Sequence, residues 1–377
     1  MAKVQSFEAI TLRYEMAPAD AYGMARAIGA RRETTLVRLV TADGVVGWGE
    51  AWGPSTVARA YLELLRPLVE GSDLMGFRHV VSHALAAWYH LGIQNGLLAA
   101  ISGLDIAIHD AIGQTLGLPV AALLGGKARD RVPVYASGGY MTPDPVKGLP
   151  GQLRRLVDAR CGAAKIKIGL SPKSDVERCR LAREALGPDV LLLVDANGNY
   201  TQDTVLESMR RIEPYDVHFY EEPLAPQDFE GYRALRPRAP IRVATGEALY
   251  MAHDFKRLLD LGGADIVQPD LSLCGGLAEG RRIADLASLH HVRLSPHVWG
   301  GAIGLAAACH FVASLPSYPH TANVPFPSLV EWDRGANPLR EELLLEPIRF
   351  TDGHLVVPDG PGLGVTPDPA AIERFRV

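Results

Sequence analysis

The chain has 377 residues, of which 47% are hydrophobic and 21% charged, the composition of a folded, water-soluble protein long enough for two domains or one large fold. Its 38 Lys and Arg against 43 Asp and Glu leave a formal charge of −5, so neither nucleic acid nor a membrane surface is an expected partner. Cys161, Cys179, Cys274 and Cys309 form no CxxC pair or zinc spacing, and no charged-then-apolar leader opens the sequence. The expected location is therefore the reducing cytoplasm.

In chain order, Tyr14–Arg32 lacks a hydrophobic period and reads as a long loop of the kind that serves as a lid. Thr34–Ala42 alternates, Asp43-Gly44 is a hairpin turn, and Val45–Glu50 returns as the partner strand. Helical patterns follow over Ser55–Glu70, Phe77–Leu91 and Leu97–Leu116, the last closed by Gly117 and Pro119. From Arg131 the beat changes to short strands alternating with amphipathic helices. The strands are Val132–Ser137, Ala164–Ile168, Val190–Asp195, Val217–Glu221, Ile241–Glu247, Asp265–Asp270, Val292–His297 and Thr321–Val324. That alternation predicts an α/β parallel barrel, since no GxGxxG marks a doubly wound sheet. Val298–Leu315 is apolar but for His310 and Ser314; it is shorter than the roughly 20 residues of a membrane span and reads as a buried helix.

The acids fall in a pattern. Asp195, Glu221 and Glu247 each end an apolar run on consecutive strands, at the barrel face where such folds keep their chemistry. One such acid would serve as a helix cap; three side by side repel one another and call for a hard divalent cation such as Mg²⁺. In Lys165-Ile166-Lys167-Ile168, alternation turns both lysines into the barrel and both isoleucines towards the helices. Two neighbouring lysines beside a metal are expected to have lowered pKa values suited to general-base work. Asp270 and His297 end adjacent strands and form a candidate dyad, the acid fixing the imidazole tautomer. Arg293 also turns inward, without an evident purpose. HExxH, GxSxG and Walker motifs are all missing, which removes the zinc-protease, nucleophile-elbow and nucleotide-phosphotransfer readings.

Together, Lys165-Ile166-Lys167, Asp195-Ala196-Asn197, Glu221-Glu222-Pro223, Gly246-Glu247, Gln268-Pro269-Asp270 and Pro296-His297 resemble the enolase superfamily, in its mandelate racemase subgroup. The resemblance implies a modified TIM barrel, (β/α)7β, over residues 131–345. It also implies an α+β capping domain over 1–130, completed by a tail over 346–377. It implies Asp195, Glu221 and Glu247 as Mg²⁺ ligands and Lys167 as one base, with Lys165 facing the substrate carboxylate and the Asp270–His297 dyad opposite. Glu331 lies near the family's carboxyl donor, and Asn197 points to the substrate. Muconate-lactonizing members carry a lysine where this chain has Asp270, so the racemase and acid-sugar dehydratase branch is favoured.

Within that branch, Asp270-Leu271-Ser272-Leu273-Cys274-Gly275-Gly276, His297-Val298-Trp299-Gly300 and Glu331-Trp332-Asp333-Arg334 are most similar to sugar-lactone cycloisomerases of the galactarolactone type. Tyr22, Trp52, Tyr140 and Trp299 are the candidate substrate-binding residues. The expected reaction is proton abstraction from a hexarate-type sugar acid or its lactone, followed by β-elimination as in an acid-sugar dehydratase. The alternatives are a lactone cycloisomerase or epimerase on the same enolate, and a non-catalytic sugar-acid binder. A homo-oligomer, from dimer to octamer, is expected.

Overall fold

The computed structural model describes residues 2–144, 148–316 and 327–377. The N-terminal part builds on an antiparallel sheet of β1 (Val4–Glu15), β4 (Arg31–Thr41) and β5 (Val46–Ala51), in the order β1-β4-β5. Gly44, at φ 86°, makes the β4–β5 turn that a side chain would strain. Helices α1 (Ser55–Val69), α2 (Phe77–Ala87) and α3 (Gly96–Leu116) cover this sheet. Close packing of α3 on β5 depends on glycines: a Cβ at Gly49 would sit 1.9 Å from the Gly103 carbonyl, and one at Gly47 2.1 Å from that of Ala107. By length and composition α3 passes as a membrane span, but 83% of its apolar window is buried within the protein, the state of a core helix.

Tyr14–Arg32 is not one loop. β1 runs on to Glu15, which pairs with Arg31, and between them lie a 3-10 turn (Pro18–Asp20) and a hairpin of β2 (Tyr22–Met24) and β3 (Ala27–Gly29). This hairpin buries almost nothing of its own, with all of β3 exposed, so no core imposed a period-2 pattern on its sequence. It reaches the barrel through Gly23, which pairs with Met141.

After the short α4 (Val120–Leu123) the barrel begins. Its elements are β6 (Arg131–Gly138), α5 (Leu149–Asp158), β7 (Ala163–Lys167), α6 (Pro172–Leu186), β8 (Leu191–Asp195), α7 (Gln202–Ile212), β9 (Val217–Glu221), α8 (Phe229–Leu235), β10 (Arg242–Thr245), α9 (Met251–Asp260), β11 (Ile266–Val267), α10 (Gly276–Leu289), β12 (Arg293–Leu294), α11 (Ala302–Ser314) and β13 (Val330–Asp333). Strands β6 to β12 pair in parallel in chain order, and β13 pairs in parallel with β6 on its other side. Between β12 and β13 the Ser295 hydroxyl donates to the Leu329 carbonyl at 2.6 Å and accepts from the Leu329 N–H at 3.1 Å. The result is a (β/α)7β barrel. The expected strand Thr321–Val324 lies outside the described residues; the place beside β6 belongs to β13.

The helices follow local rules. Ser171 caps α6 by accepting from the Ser174 N–H at 3.2 Å, and Pro172 opens it. Val205, Met209 and Ile212 of α7 are fully buried, each contributing roughly 1.5–3 kcal/mol. α11 is buried along its whole length, as its apolar run requires.

The C-terminal segment serves both halves. After α12 (Pro338–Glu341), the hairpin of β14 (Phe350–Thr351) and β15 (His354–Val356) adds antiparallel to the foot of β6. The final helix α13 (Pro369–Phe375) leads back to β1, where the Val377 N–H donates to the Thr11 carbonyl at 3.1 Å. Buried acids from the N-terminal part hold the barrel. Glu50 accepts from the Gly301 N–H at 2.5 Å and the Gly304 N–H at 2.8 Å, at the start of α11, where a carboxylate complements the helix dipole. Asp105 meets the first turn of α10 through the Ala278 N–H at 3.1 Å.

Candidate active site

The ends of β8, β9 and β10 bring Asp195, Glu221 and Glu247 together, with one oxygen from each lying within 4.8 Å of the others. Asp195 and Glu221 are wholly buried. Asn197, in the left-handed region at φ 47°, donates its backbone N–H to Asp195 Oδ1 at 2.8 Å and turns its amide towards Glu247. Glu247 Oε2, Asn197 Oδ1 and Glu222 Oε1 are buried without a hydrogen-bond partner among the described residues. A buried oxygen left unmatched is costly, and an all-oxygen set of this kind suits a hard divalent ion.

On β7 both lysines reach this cluster, while Ile166 and Ile168 join the core beneath the helices. Lys165 Nζ lies 2.5 Å from Glu221, 3.0 Å from Glu331 and 3.8 Å from Asp195. Lys167 pairs with Asp195. The expected lowering supposed a metal beside the lysines; the protein groups by themselves act the other way. Burial alone would lower Lys165, but Glu221 and Glu331 outweigh it and hold the ammonium well above its ordinary value. Lys167 is raised likewise, with burial and Lys165 opposing the pull of Asp195. The acids act as counter-charges to the lysines.

Asp270 and His297 lie just beyond β11 and β12, joined by a parallel bridge. His297 Nδ1 sits 2.7 Å from Asp270 Oδ2, and its Nε2 lies 3.4 Å from Glu247 and 3.7 Å from Glu331. Burial disfavours the imidazolium, but Glu247, Glu331 and Asp270 together push its pKa up to about 10. Asp270 Oδ1 is itself fixed by the Ser272 N–H at 2.7 Å. Glu331, on β13, accepts from the Val298 N–H at 3.1 Å; despite burial, Lys165 and His297 hold its carboxyl well below the usual range. The lysines and the dyad thus flank the three acids from two sides of the barrel ring. Arg293, unexplained from sequence, sits at the opposite, N-terminal end of the barrel, where it lines a cavity of about 50 Å³ with His218 and Phe219.

The aromatic candidates divide. Tyr22 and Tyr140 pack with ring centroids 4.6 Å apart, and the Trp299 indole donates to the Tyr140 hydroxyl at 3.0 Å. Trp52 stands apart from this group: its N–H donates to the Ser272 carbonyl at 3.0 Å and its side chain is partly exposed. Sequence reasoning passed over Gln268, whose amide donates to Glu221 Oε2 at 2.6 Å. Its place two residues before Asp270 was the available signal. It also passed over Arg32, the partner of Asp333, whose contact spans three hundred residues and left no local mark.

The model for the mandelate racemase / muconate lactonizing enzyme N-terminal domain matches residues 9–125, and that for an enolase C-terminal domain-like unit matches residues 149–371. The chain belongs to the mandelate racemase/muconate lactonizing enzyme family. Among similar relatives, D-galactarolactone cycloisomerase of Agrobacterium fabrum is 36% identical over 92% of either chain. Arabinonate dehydratase of Saccharolobus solfataricus is 32% identical over 91% of each. Among solved structures, the 3,6-anhydro-D-galactonate cycloisomerase of Zobellia galactanivorans aligns with a TM-score of 0.88 and 33% identity, over 100% of this chain and 99% of that one. A racemase of Streptomyces coelicolor A3(2) with bound magnesium aligns with a TM-score of 0.88 at 27% identity, over 99% and 100% of the two chains. Like its relatives, this family member is an enzyme of the lyase or isomerase kind. Members of the enolase superfamily use Mg²⁺, and the acid cluster with its unmatched oxygens fits that ion.

Proposed function

We propose that this enzyme abstracts the α-proton of a sugar-acid carboxylate and then expels a β-oxygen, acting as an acid-sugar dehydratase. The observation that carries the reading is the pair of proton-transfer groups, Lys167 and the Asp270–His297 dyad, flanking one acid cluster from two sides. Asp195, Glu221 and Glu247 would hold Mg²⁺, which supplies electrophilic stabilisation of charge developing on the substrate carboxylate. Lys167 is the base that takes the α-proton, acting as the neutral amine, a form favoured once the Asp195 carboxylate that otherwise holds its proton is taken up by Mg²⁺; the C–H electron pair passes into the enediolate. Lys165, fully buried, faces the charge that develops there. His297, held as a cation by Asp270 and Glu331, delivers a proton to the departing β-oxygen. Asn197, Tyr22, Tyr140, Trp299 and Trp52 bind the rest of the substrate.

A second reading, a lactone cycloisomerase on the same enediolate, is supported by the likeness to two cycloisomerases; in it the leaving oxygen belongs to the lactone ring. An epimerase would use both proton-transfer groups at the α-carbon alone. In either reading residues 131–345 carry the chemistry, 1–130 cap the barrel, and 346–377 pack back on that cap. We further infer a cytoplasmic homo-oligomer. Four free, buried cysteines support the reducing compartment, and closed symmetric assemblies are the common state of soluble enzymes. Screening sugar acids and their lactones by mass spectrometry tests the reading. A product lighter by one water marks dehydration, and an isomer formed from a lactone marks cycloisomerisation. Turnover of mandelate with all sugar acids and lactones inert would overturn both.

A further inference from the structure

Arg32, the second residue of β4, is 3% exposed. Its guanidinium is fixed on three sides. One Nη pairs with Asp333, the Trp299 ring lies over it at 3.6 Å from the centroid, and the Tyr22 ring lies at 5.2 Å. Asp333 is held in turn, accepting from the Tyr140 hydroxyl at 2.6 Å and the Gly335 N–H at 2.7 Å. Yet Arg32 Nε and Nη1 have no hydrogen-bond partner among the described residues. A buried donor left unmatched costs roughly 1–3 kcal/mol and is rare unless something else satisfies it.

The fold says where this cation sits. Asp333 follows Glu331 by two residues on β13, so both face the same way, with Asp333 one step nearer the mouth. Trp299 follows His297 by two residues, and Tyr140 lies just past the end of β6. Asp333, Trp299 and Tyr140 thus each lie one step outside a strand end of the site, and Tyr22 reaches the cation from the β2–β3 hairpin. In the ring order β6 to β13, the β13–β6 seam lies across the barrel from β8, β9 and β10, which carry the three acids. A substrate whose reacting carboxylate lies at those acids, with its α-carbon between Lys167 and His297, must send its far end towards Arg32. Trp299 is half-buried and covers the guanidinium, so a ligand reaches Arg32 only if that ring swings aside.

We propose that Arg32, oriented by Asp333, is a specificity-determining residue that binds a carboxylate at the far end of the substrate, so that the preferred substrates are diacids, hexarates or their lactones, and not hexonates. The planar guanidinium offers paired N–H groups that match a carboxylate, and its Nε and Nη1 are the ones left unmatched among the described residues. The inference rests on the acid-sugar reading above.

The test compares a hexarate with the hexonate of the same configuration at every shared stereocentre, so that only the terminal carboxylate differs. The wild-type enzyme should favour the hexarate in kcat/KM by at least about 100-fold, as sites built to hydrogen-bond one group discriminate against its loss. In Arg32→Met the ratio should collapse to within about threefold of unity. If thermal melting shows that variant unfolded, Arg32→Lys is read instead; it keeps the charge, loses the fork, and should lower the ratio at least about tenfold. Sugar acids turned over with equal or better use of the hexonate, or a ratio that survives in the variant, would overturn the role of Arg32 and leave the acid-sugar reading standing. Turnover confined to aryl or alkyl acids would sink both.

Discussion

Lys167 and His297 approach the acid cluster from different strands, so their losses should differ in kind. If each serves one face of the α-carbon, Lys167→Ala and His297→Asn should each fall by about 10²–10⁴-fold in turnover. They should nevertheless lose exchange of different epimers with solvent deuterium, measured by NMR. Identical loss for both epimers in both variants would contradict the division. Glu221→Gln should reduce turnover at least about 100-fold and weaken Mg²⁺ binding by calorimetry, while far-UV circular dichroism stays unchanged. Much of this site could be read from sequence because strand alternation is a local rule: Lys165 and Lys167 share a face, and the acids end their strands. The counter-charges around the lysines could not be read, because they depend on how close Glu221, Glu331 and Asp195 come in space. Arg32 and Asp333 were invisible for the same reason.

At the level of elements, Asp110 on α3 ties two distant segments, accepting from the Trp48 N–H of β5 and the Leu363 N–H of the C-terminal segment, each at 2.7 Å. Burial raises its carboxyl from 3.8 to about 6, against the pull of these two hydrogen bonds. A carboxyl raised on folding binds its proton more tightly in the native state, so its contribution is present below about pH 4 and is lost as pH rises through 6. The shift corresponds to about 3 kcal/mol. Thermal melts from pH 4 to 7 should show this loss in the wild type, and Asp110→Asn should flatten it. Equal slopes in the two proteins would contradict the assignment. The helices and the β4–β5 hairpin were legible because caps, turn residues and a core-facing period coincide there. The β2–β3 hairpin was not, since it packs against the barrel mouth and has no core of its own. Likewise, β11 and β12 are short ladders whose expected extents, out to Asp270 and His297, exceed the regular pairing.

Across the whole molecule, the N-terminal part does more than cover the barrel. Arg26, from the turn between β2 and β3, donates its Nε to the Asn197 carbonyl at 2.7 Å and another N–H to that of Gly198. It thus clasps the loop that follows the Asp195 strand end. Arg26→Ala should raise KM several-fold and speed hydrogen exchange over residues 22–29, with the melting temperature little changed. An unaltered KM and exchange pattern would show that the clasp is idle. The broad architecture was readable from the alternation of strands and helices, but the joins between cap and barrel were not, since Glu50, Asp105 and Arg26 meet partners far away in sequence. The central claim is that this fold makes an enediolate from a sugar-acid carboxylate with the help of a divalent ion. Its most direct measurement is deuterium incorporation at the α-carbon of hexarates and their lactones in D₂O, with Mg²⁺ and with chelator. Mg²⁺-dependent incorporation or turnover accompanied by loss of the α-proton, abolished by chelator and in Lys167→Ala, is the expected result. Full turnover in chelator, or product that retains the original α-proton, would contradict it.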